Sequence, residues 1–189
     1  MKILGISGSL RVKSHNTALL KAAQELKPEN MEIEIYSIGD LPLYNGDIEK
    51  EGFPDSVKRF KDEIMNSDAI LFATPEYNYS VTGVLKNAID WASRPPSESP
   101  LKKKPCAILG VSGGMSGTIR SQMHLRQIAA HNEMIVMNKP ELYVSFGGKK
   151  FDEKGELTDE ATREQLIKFL YSFEEMISSI NSKEMIYDV

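Results

Sequence analysis

The chain is poor in the residue types that mark a metal centre, a disulfide scaffold or a membrane span. Of 189 residues one is cysteine, Cys106, one is tryptophan and three are histidine. A lone cysteine excludes an internal disulfide framework and any multi-cysteine metal site. His15, His124 and His131 stand at no metal-ligand spacing with acidic or sulfur partners, so no metal site is expected. Nowhere do roughly eighteen apolar residues run together, the length a helix needs to cross a bilayer. The opening Met1-Lys2-Ile3-Leu4-Gly5-Ile6 breaks into Ser-Gly-Ser too early for the apolar part of a secretory signal. Positive charge is not in surplus either: 23 Lys and Arg against 27 Asp and Glu leave a net charge of -4. That is no footprint for nucleic acid or an anionic membrane. A reducing cytoplasmic setting is expected, with Cys106 buried in the apolar run Cys106-Ala107-Ile108-Leu109.

What is present is an alternation of short apolar runs with amphipathic helical patterns, with no internal repeat and enough length for one substantial core, a single domain over residues 1–189. Residues 3–6 read as a strand and 17–26 as a helix carrying Ala18, Leu19, Ala22, Ala23 and Leu26 on one face. Residues 32–38 alternate apolar with charged, as an edge strand does. A helix follows over 53–66, its stripe made of Val57, Phe60, Ile64 and Met65. Residues 69–74 are apolar almost throughout, which implies a central parallel strand covered on both faces. Val84, Leu85, Ala88, Ile89 and Ala92 recur at helical spacing until Arg94-Pro95-Pro96 stops them. Residues 105–111 form the fourth strand and 118–131 a helix. The fifth strand falls within 134–144, and 159–180 is a long final helix. Five strands separated by helices make an open parallel sheet with helices on both faces. Ligands bind such sheets beyond the carboxyl ends of the strands, where the loops 7–16, 75–82 and 112–117 converge.

The first of these loops, Gly5-Ile6-Ser7-Gly8-Ser9-Leu10-Arg11-Val12-Lys13-Ser14-His15-Asn16-Thr17, carries the strongest signal. It lies between a strand and the start of a helix, where unpaired backbone N–H groups and the helix dipole attract an anion. It is not a P-loop, since no glycine precedes Lys-Ser or Lys-Thr at the required spacing, and it is not a dinucleotide fingerprint, since Gly8 lacks the later glycines. Ser7, Ser9, Ser14, Asn16 and Thr17 offer hydrogen-bond donors and Arg11 a charged fork, a set suited to a terminal phosphate monoester. The competing reading is simpler: Ser14 or Asn16 caps the helix and Arg11 is an exposed loop residue.

The second loop and its helix, Thr74-Pro75-Glu76-Tyr77-Asn78-Tyr79-Ser80-Val81-Thr82-Gly83-Val84-Leu85-Lys86-Asn87-Ala88-Ile89-Asp90-Trp91, resemble the signature of NADPH-dependent FMN reductases, the flavodoxin-like family that includes quinone, azo and chromate reductases. The family's first-loop pattern G-S-x-R-x-x-S-x-N is matched by Gly8, Ser9, Arg11, Ser14 and Asn16. Its R-x-Q-x-H-L-R-Q is matched by Arg120, Gln122, His124, Leu125, Arg126 and Gln127. The resemblance implies an α/β, flavodoxin-like, doubly wound five-stranded parallel sheet of order 2-1-3-4-5. It implies that Ser9, Arg11, Ser14, His15, Asn16 and Thr17 surround the FMN phosphate, that Pro75, Glu76, Tyr77, Asn78 and Tyr79 pass beside the isoalloxazine ring, and that Ser112, Gly113 and Gly114 border its other side. Hydride would pass from NADPH or NADH to the flavin and on to a small acceptor in ping-pong fashion, with no catalytic acid or base from the protein. A homodimer or homotetramer is implied, with residues 120–127 in the interface. Two departures stand out. The family usually has Pro where this chain has Thr82, which bears on loop rigidity, and a glycine pair where it has Gly117-Thr118, which would narrow the entrance near the third loop.

Other readings stay open from sequence. A flavodoxin-type electron carrier would also hold FMN, although flavodoxins typically have a Thr-rich phosphate loop without arginine and a more acidic surface. A cofactor-free scaffolding domain would have no need of Arg11 with Ser9, Ser14 and Asn16. Tyr77 and Tyr79 stack on the cofactor or a neighbouring subunit, or pack under their loop. Glu76 is a contact residue and not a catalyst, and Trp91 belongs to the core. Lys102-Lys103-Lys104 is a solvated surface, or else a seat for the extra phosphate of NADPH.

Overall fold

The computed structural model describes residues 1–187, with side chains as far as residue 182. Its sheet is built from β1 (Lys2–Ser7), β2 (Glu32–Tyr36), β3 (Ala69–Ala73), β4 (Pro105–Val111), β5 (Ile135–Val136) and β6 (Leu142–Val144). All pairings are parallel and the order is β2-β1-β3-β4-β5, with β6 also paired to β4. This is the expected 2-1-3-4-5 sheet.

The helices are α1 (His15–Leu26), α2 (Gly46–Glu51), α3 (Asp55–Met65), α4 (Gly83–Ala92), α5 (Ile119–His131) and α6 (Glu160–Tyr187). Strand alternation sends Ile3, Leu71, Leu109 and Val111 into one core with α1 and α6, and Leu4, Ile6, Phe72 and Ile108 into a second core with α3, α4 and α5. β3 and β4 are buried at every position, because helices cover both faces. β2 keeps alternate residues exposed, as an edge strand should. Trp91 is fully buried in the second core, its Nε1 donating to the Pro42 carbonyl at 2.8 Å. Among the described residues no helix is long and apolar enough to cross a membrane.

The structure differs from the sequence reading at several element ends, the final helix running on to Tyr187 rather than 180 and β2 stopping at Tyr36 rather than 38, and in the following details. α1 begins two residues early, because the Ser14 hydroxyl caps it by accepting from Thr17 N–H at 3.3 Å. Met65 points to solvent and leaves the α3 stripe to Val57, Phe60 and Ile64. α2 was not anticipated; it buries no residue and therefore has no apolar stripe, and Asn45 caps it through Asp47 N–H at 2.9 Å. The fifth strand is split. β5 pairs with the start of β4, Pro105 opposite Ile135, and β6 with its end, Leu109 opposite Leu142. Pro140, which has no N–H to give a ladder, lies in the gap.

The register places the site. Ser7 lies opposite Ala73, and Ala73 opposite Leu109, so the three central strands end nearly level and release their loops at one rim.

Candidate functional site

At that rim the three loops meet in a crevice of about 140 Å3. Loop 1 contributes Ser9, Arg11, Ser14, His15 and Asn16, loop 2 contributes Pro75, Glu76 and Tyr77, and loop 3 contributes Ser112 and Gly113. Val111, not singled out from sequence, completes the lining. Thr17, Asn78, Tyr79 and Gly114 lie outside it.

Loop 1 presents a defined set of donors. The Arg11 side chain has no ion-pair partner among the described residues and is exposed at the rim. The N–H groups of His15 and Asn16, at the first two helical positions, have no partner among the described residues either. Ser9 and Ser14 accept through their hydroxyl oxygens from Arg11 N–H at 3.4 Å and Thr17 N–H at 3.3 Å, which leaves both hydroxyl protons to donate outward. Two side chains expected to face an anion are engaged inside the protein. The Asn16 amide donates to Val111 O at 2.9 Å and accepts from Val111 N–H at 3.0 Å, so its amide ties α1 to the end of β4, and its backbone N–H remains for a ligand. The Thr17 hydroxyl donates to Ser7 Oγ at 2.9 Å. His15 stacks flat on Phe151, with centroids 5.0 Å apart and planes 6° from parallel.

Loop 2 is a tight turn. Tyr77 and Ser80 exchange backbone hydrogen bonds at 3.1 and 3.0 Å around Asn78 and Tyr79, both at positive φ, +50° and +66°. Asparagine suits that left-handed region and a bulky aromatic does not. The conformation is held from α5: the Arg120 guanidinium sits 4.1 Å from the Tyr79 ring centroid, and Ser80 Oγ meets His124 Nδ1 at 2.9 Å. Glu76 points the same way, its side chain only 9% exposed, accepting from the N–H groups of Arg120 and Ser121 at 2.9 and 3.2 Å. It therefore caps α5 from another loop and pairs with the Arg120 side chain at 3.0 Å. Thr82, the departure from the family's Pro, caps α4 and donates to the Gly8 carbonyl at 2.7 Å, tying loop 2 to loop 1.

Loop 3 is braced by a fourth segment that sequence reading missed. Ser145 Oγ donates to Met115 O at 2.6 Å, Phe146 N–H to Gly114 O at 3.1 Å, and Gly147 N–H to Ser112 O at 2.8 Å. A side chain at Gly147 would strike Val111 and crowd His15; the Gly147-Gly148 pair after the last strand was the available clue. A side chain at Gly113 would meet nothing, so backbone is bare to the crevice there. The expectation that Thr118 narrows the entrance is corrected: Thr118 is fully buried, accepts from Gln122 Nε2 at 3.0 Å and packs on Gly110.

The lysine run 102–104 is the solvated surface expected of it, Lys102 and Lys103 being exposed, and its alternative reading as a seat for the NADPH phosphate falls away. The run immediately precedes β4, at the end of the sheet opposite the crevice, where Lys102 pairs with Glu133 at 3.1 Å and Lys104 donates to the Ser67 carbonyl. Burial pushes the Cys106 thiol up to about 12, which leaves it protonated and inert. Among the described residues no cluster of His, Cys, Asp and Glu could hold a metal ion.

A family model described as NADPH-dependent FMN reductase matches residues 1–149. The chain belongs to that family. A Pseudomonas aeruginosa protein named NAD(P)H-dependent FMN reductase is 54% identical over 164 residues, 87% of this chain and 88% of its own. A 2-hydroxy-1,4-benzoquinone reductase from a Burkholderia species is 42% identical over 170 residues, 90% and 92% of the two chains. Among solved structures, the flavoenzyme NAD(P)H:(acceptor) oxidoreductase FerB of Paracoccus denitrificans superposes with a TM-score of 0.87 at 39% identity, covering 94% of this chain and 97% of its own. The chain is thus an FMN-dependent NAD(P)H oxidoreductase of the flavodoxin-like fold.

The residues present fit FMN. Unpaired N–H groups at a helix start, two free hydroxyl protons and an unpaired guanidinium form a donor set for a phosphate dianion. Closed ligand pockets run to roughly 300–1,000 Å3. A crevice of about 140 Å3 is smaller than that and would hold the phosphate end of FMN.

Proposed function

We propose that residues 1–189 act as one FMN-binding unit that takes electrons from NADPH or NADH. Small acceptors such as quinones, azo compounds, metal oxyanions or free flavin then receive them in a ping-pong cycle. Arg11, Ser9 and Ser14, with the N–H groups of His15 and Asn16, bind the phosphate. Pro75, Glu76, Tyr77, Asn78 and Tyr79 border one side of the ring and Ser112, Gly113 and Gly114 the other. The observation that carries this reading is the meeting of the three loops at one crevice whose guanidinium has no carboxylate partner among the described residues. A cofactor-free scaffold would leave that charge without a purpose.

FMN, when bound, supplies the electron transfer itself. The chain's residues orient and exclude water. Glu76 is engaged by α5 and is not placed to move a proton, and no residue of the crevice forms an acid–base dyad with another. A backbone N–H without a partner among the described residues, such as that of Gly113, would stabilise negative charge at the edge of a bound flavin. Glu76, Arg120 and His124 hold Tyr77 and Tyr79 at the mouth. The setting is the cytoplasm. The assembly is a homodimer or homotetramer, supported by the exposed apolar side chains of Ile119 and Met123 on α5, beside Arg120.

Mixing protein, FMN and NADPH with a quinone and following nicotinamide absorbance tests the enzyme reading against an electron-carrier one. Oxidation well above the protein-free rate is expected. Rates equal to that control, with FMN bound, would favour the carrier.

A further inference from the structure

We propose that the groove between the start of α1 and the turn at residues 152–155 receives the adenosine 2′-phosphate of NADPH, so that the chain takes NADPH in preference to NADH. The inference rests on the reductase reading above and specifies the donor for that same site. The groove is about 510 Å3 and shares Ser14 and His15 with the crevice, so the two are continuous around the phosphate loop. Lys13, Lys21 and Lys154 line it, and among the described residues none has a carboxylate within ion-pair distance. Lys150, close by in sequence, is by contrast paired with Asp159 at 2.7 Å. Two carboxylates share the groove: Asp152 accepts from Lys154 and Glu156 N–H at 2.9 and 2.8 Å, and Glu153 pairs with none of the three lysines among the described residues, so the lining holds one more cation than anion. The Asp152 bonds, with Gly155 N–H on Asp152 O at 3.0 Å and Gly155 at φ +85°, give the turn a defined shape.

The chemistry selects a phosphate-bearing occupant. NADPH differs from NADH by one phosphate monoester, which near neutral pH carries about −1.5 to −2 charge. Clustered ammonium groups meet such a charge as point charges without demanding a fixed geometry. With the nicotinamide at the crevice mouth, the rest of the dinucleotide must lie along a surface continuous with the crevice. A second cavity also touches loop 1, about 410 Å3 between residues 9–12 and 35–39, but its one cation is Arg11, already assigned to FMN. The run at 102–104 lies at the far end of the sheet. Of these two cavities beside loop 1, the α1 groove is the one lined by lysines without an ion-pair partner among the described residues. Val12, wholly exposed at its edge, offers an apolar contact for the adenosine.

The test compares wild type, the double variant Lys21→Gln/Lys154→Gln and the control Lys102→Gln. KM for NADPH and NADH is measured on FMN-loaded protein with saturating quinone, and binding of 2′,5′-ADP by calorimetry. Losing charge-assisted contacts should raise KM for NADPH about tenfold, weaken 2′,5′-ADP by a similar factor, and leave KM for NADH and FMN content unchanged. The control should behave as wild type. If KM for both dinucleotides moves together, or neither KM nor 2′,5′-ADP binding moves, the groove assignment falls while the reductase reading stands. A wild-type protein that binds no FMN and oxidises neither dinucleotide would overturn the reductase reading and the groove with it.

Discussion

Glu76 and Arg120 are joined twice: one carboxylate oxygen lies 3.0 Å from the Arg120 guanidinium, and the other accepts the Arg120 backbone N–H at 2.9 Å. The second bond matters more. The residue that precedes α5, Thr118, makes no side-chain cap bond, so the orphan donors of that helix are met by a carboxylate from loop 2, which also suits the helix dipole. Glu76→Ala should cost about 1–2 kcal/mol of stability, read as a lower urea midpoint. Glu76→Gln, which keeps an acceptor, should cost less. Equal stability of the alanine variant and wild type would show that the cap contributes nothing.

Arg11→Ala should weaken FMN binding by about 1.5–3 kcal/mol, the range of a hydrogen bond to a charged group. Because the side chain is exposed and pairs with no carboxylate among the described residues, thermal stability without FMN should stay at the wild-type value. Fluorescence titration of FMN checks the first expectation and a melting curve the second. An unchanged dissociation constant would remove Arg11 from the phosphate site.

Thr82 is buried, caps α4 and reaches the Gly8 carbonyl. Thr82→Val keeps the shape and removes both bonds, leaving the Gly8 carbonyl unpaired beside a methyl group. A loss of about 1–3 kcal/mol follows, together with weaker FMN retention, since the loop that carries Ser9 and Arg11 loses an anchor. Thr82→Ser should sit near wild type in both chemical denaturation and FMN titration.

Asp159 caps α6 through Thr162 and accepts from Lys150 at 2.7 Å. The Lys150 bond, then those from Thr162, pull its carboxyl down to about 2, below the ordinary value of about 3.9. A depressed native value means the unfolded chain takes up the proton first, so the group's contribution is full above about pH 4 and is lost as pH falls toward about 2. Urea midpoints measured from pH 6 to 2 should fall more steeply for wild type than for Asp159→Asn. Parallel curves would exclude the linkage.

Much of this was legible without coordinates because the relevant forces are local. Residues 69–74 could be placed at the sheet centre from an unbroken apolar run, since a strand covered on both faces has nowhere to put a polar side chain, and 105–111 could be read as a strand. Loop 1 announced an anion site because helix starts leave N–H groups unpaired. The partners of individual polar atoms were less accessible. Asn16 and Thr17 looked like ligand donors, but Val111 and Ser7 take their side chains, and Thr118 looked like a lip of the entrance but is buried on Gly110. These pairings join residues far apart in the chain, and local pattern carries no record of which neighbour folding brings near.

The succession of strands and helices, the three loops at the rim and the anion they attract therefore follow from residue periodicity and end chemistry, whereas the order of the strands across the sheet was implied by the family resemblance alone. Which hydroxyls stay free, how Glu76 comes to cap α5, and that residues 145–151 brace loop 3 and cover His15 were decided only by packing. A buried polar atom must find its partner among whatever the two cores bring within about 3 Å, and that distance is a property of the whole fold.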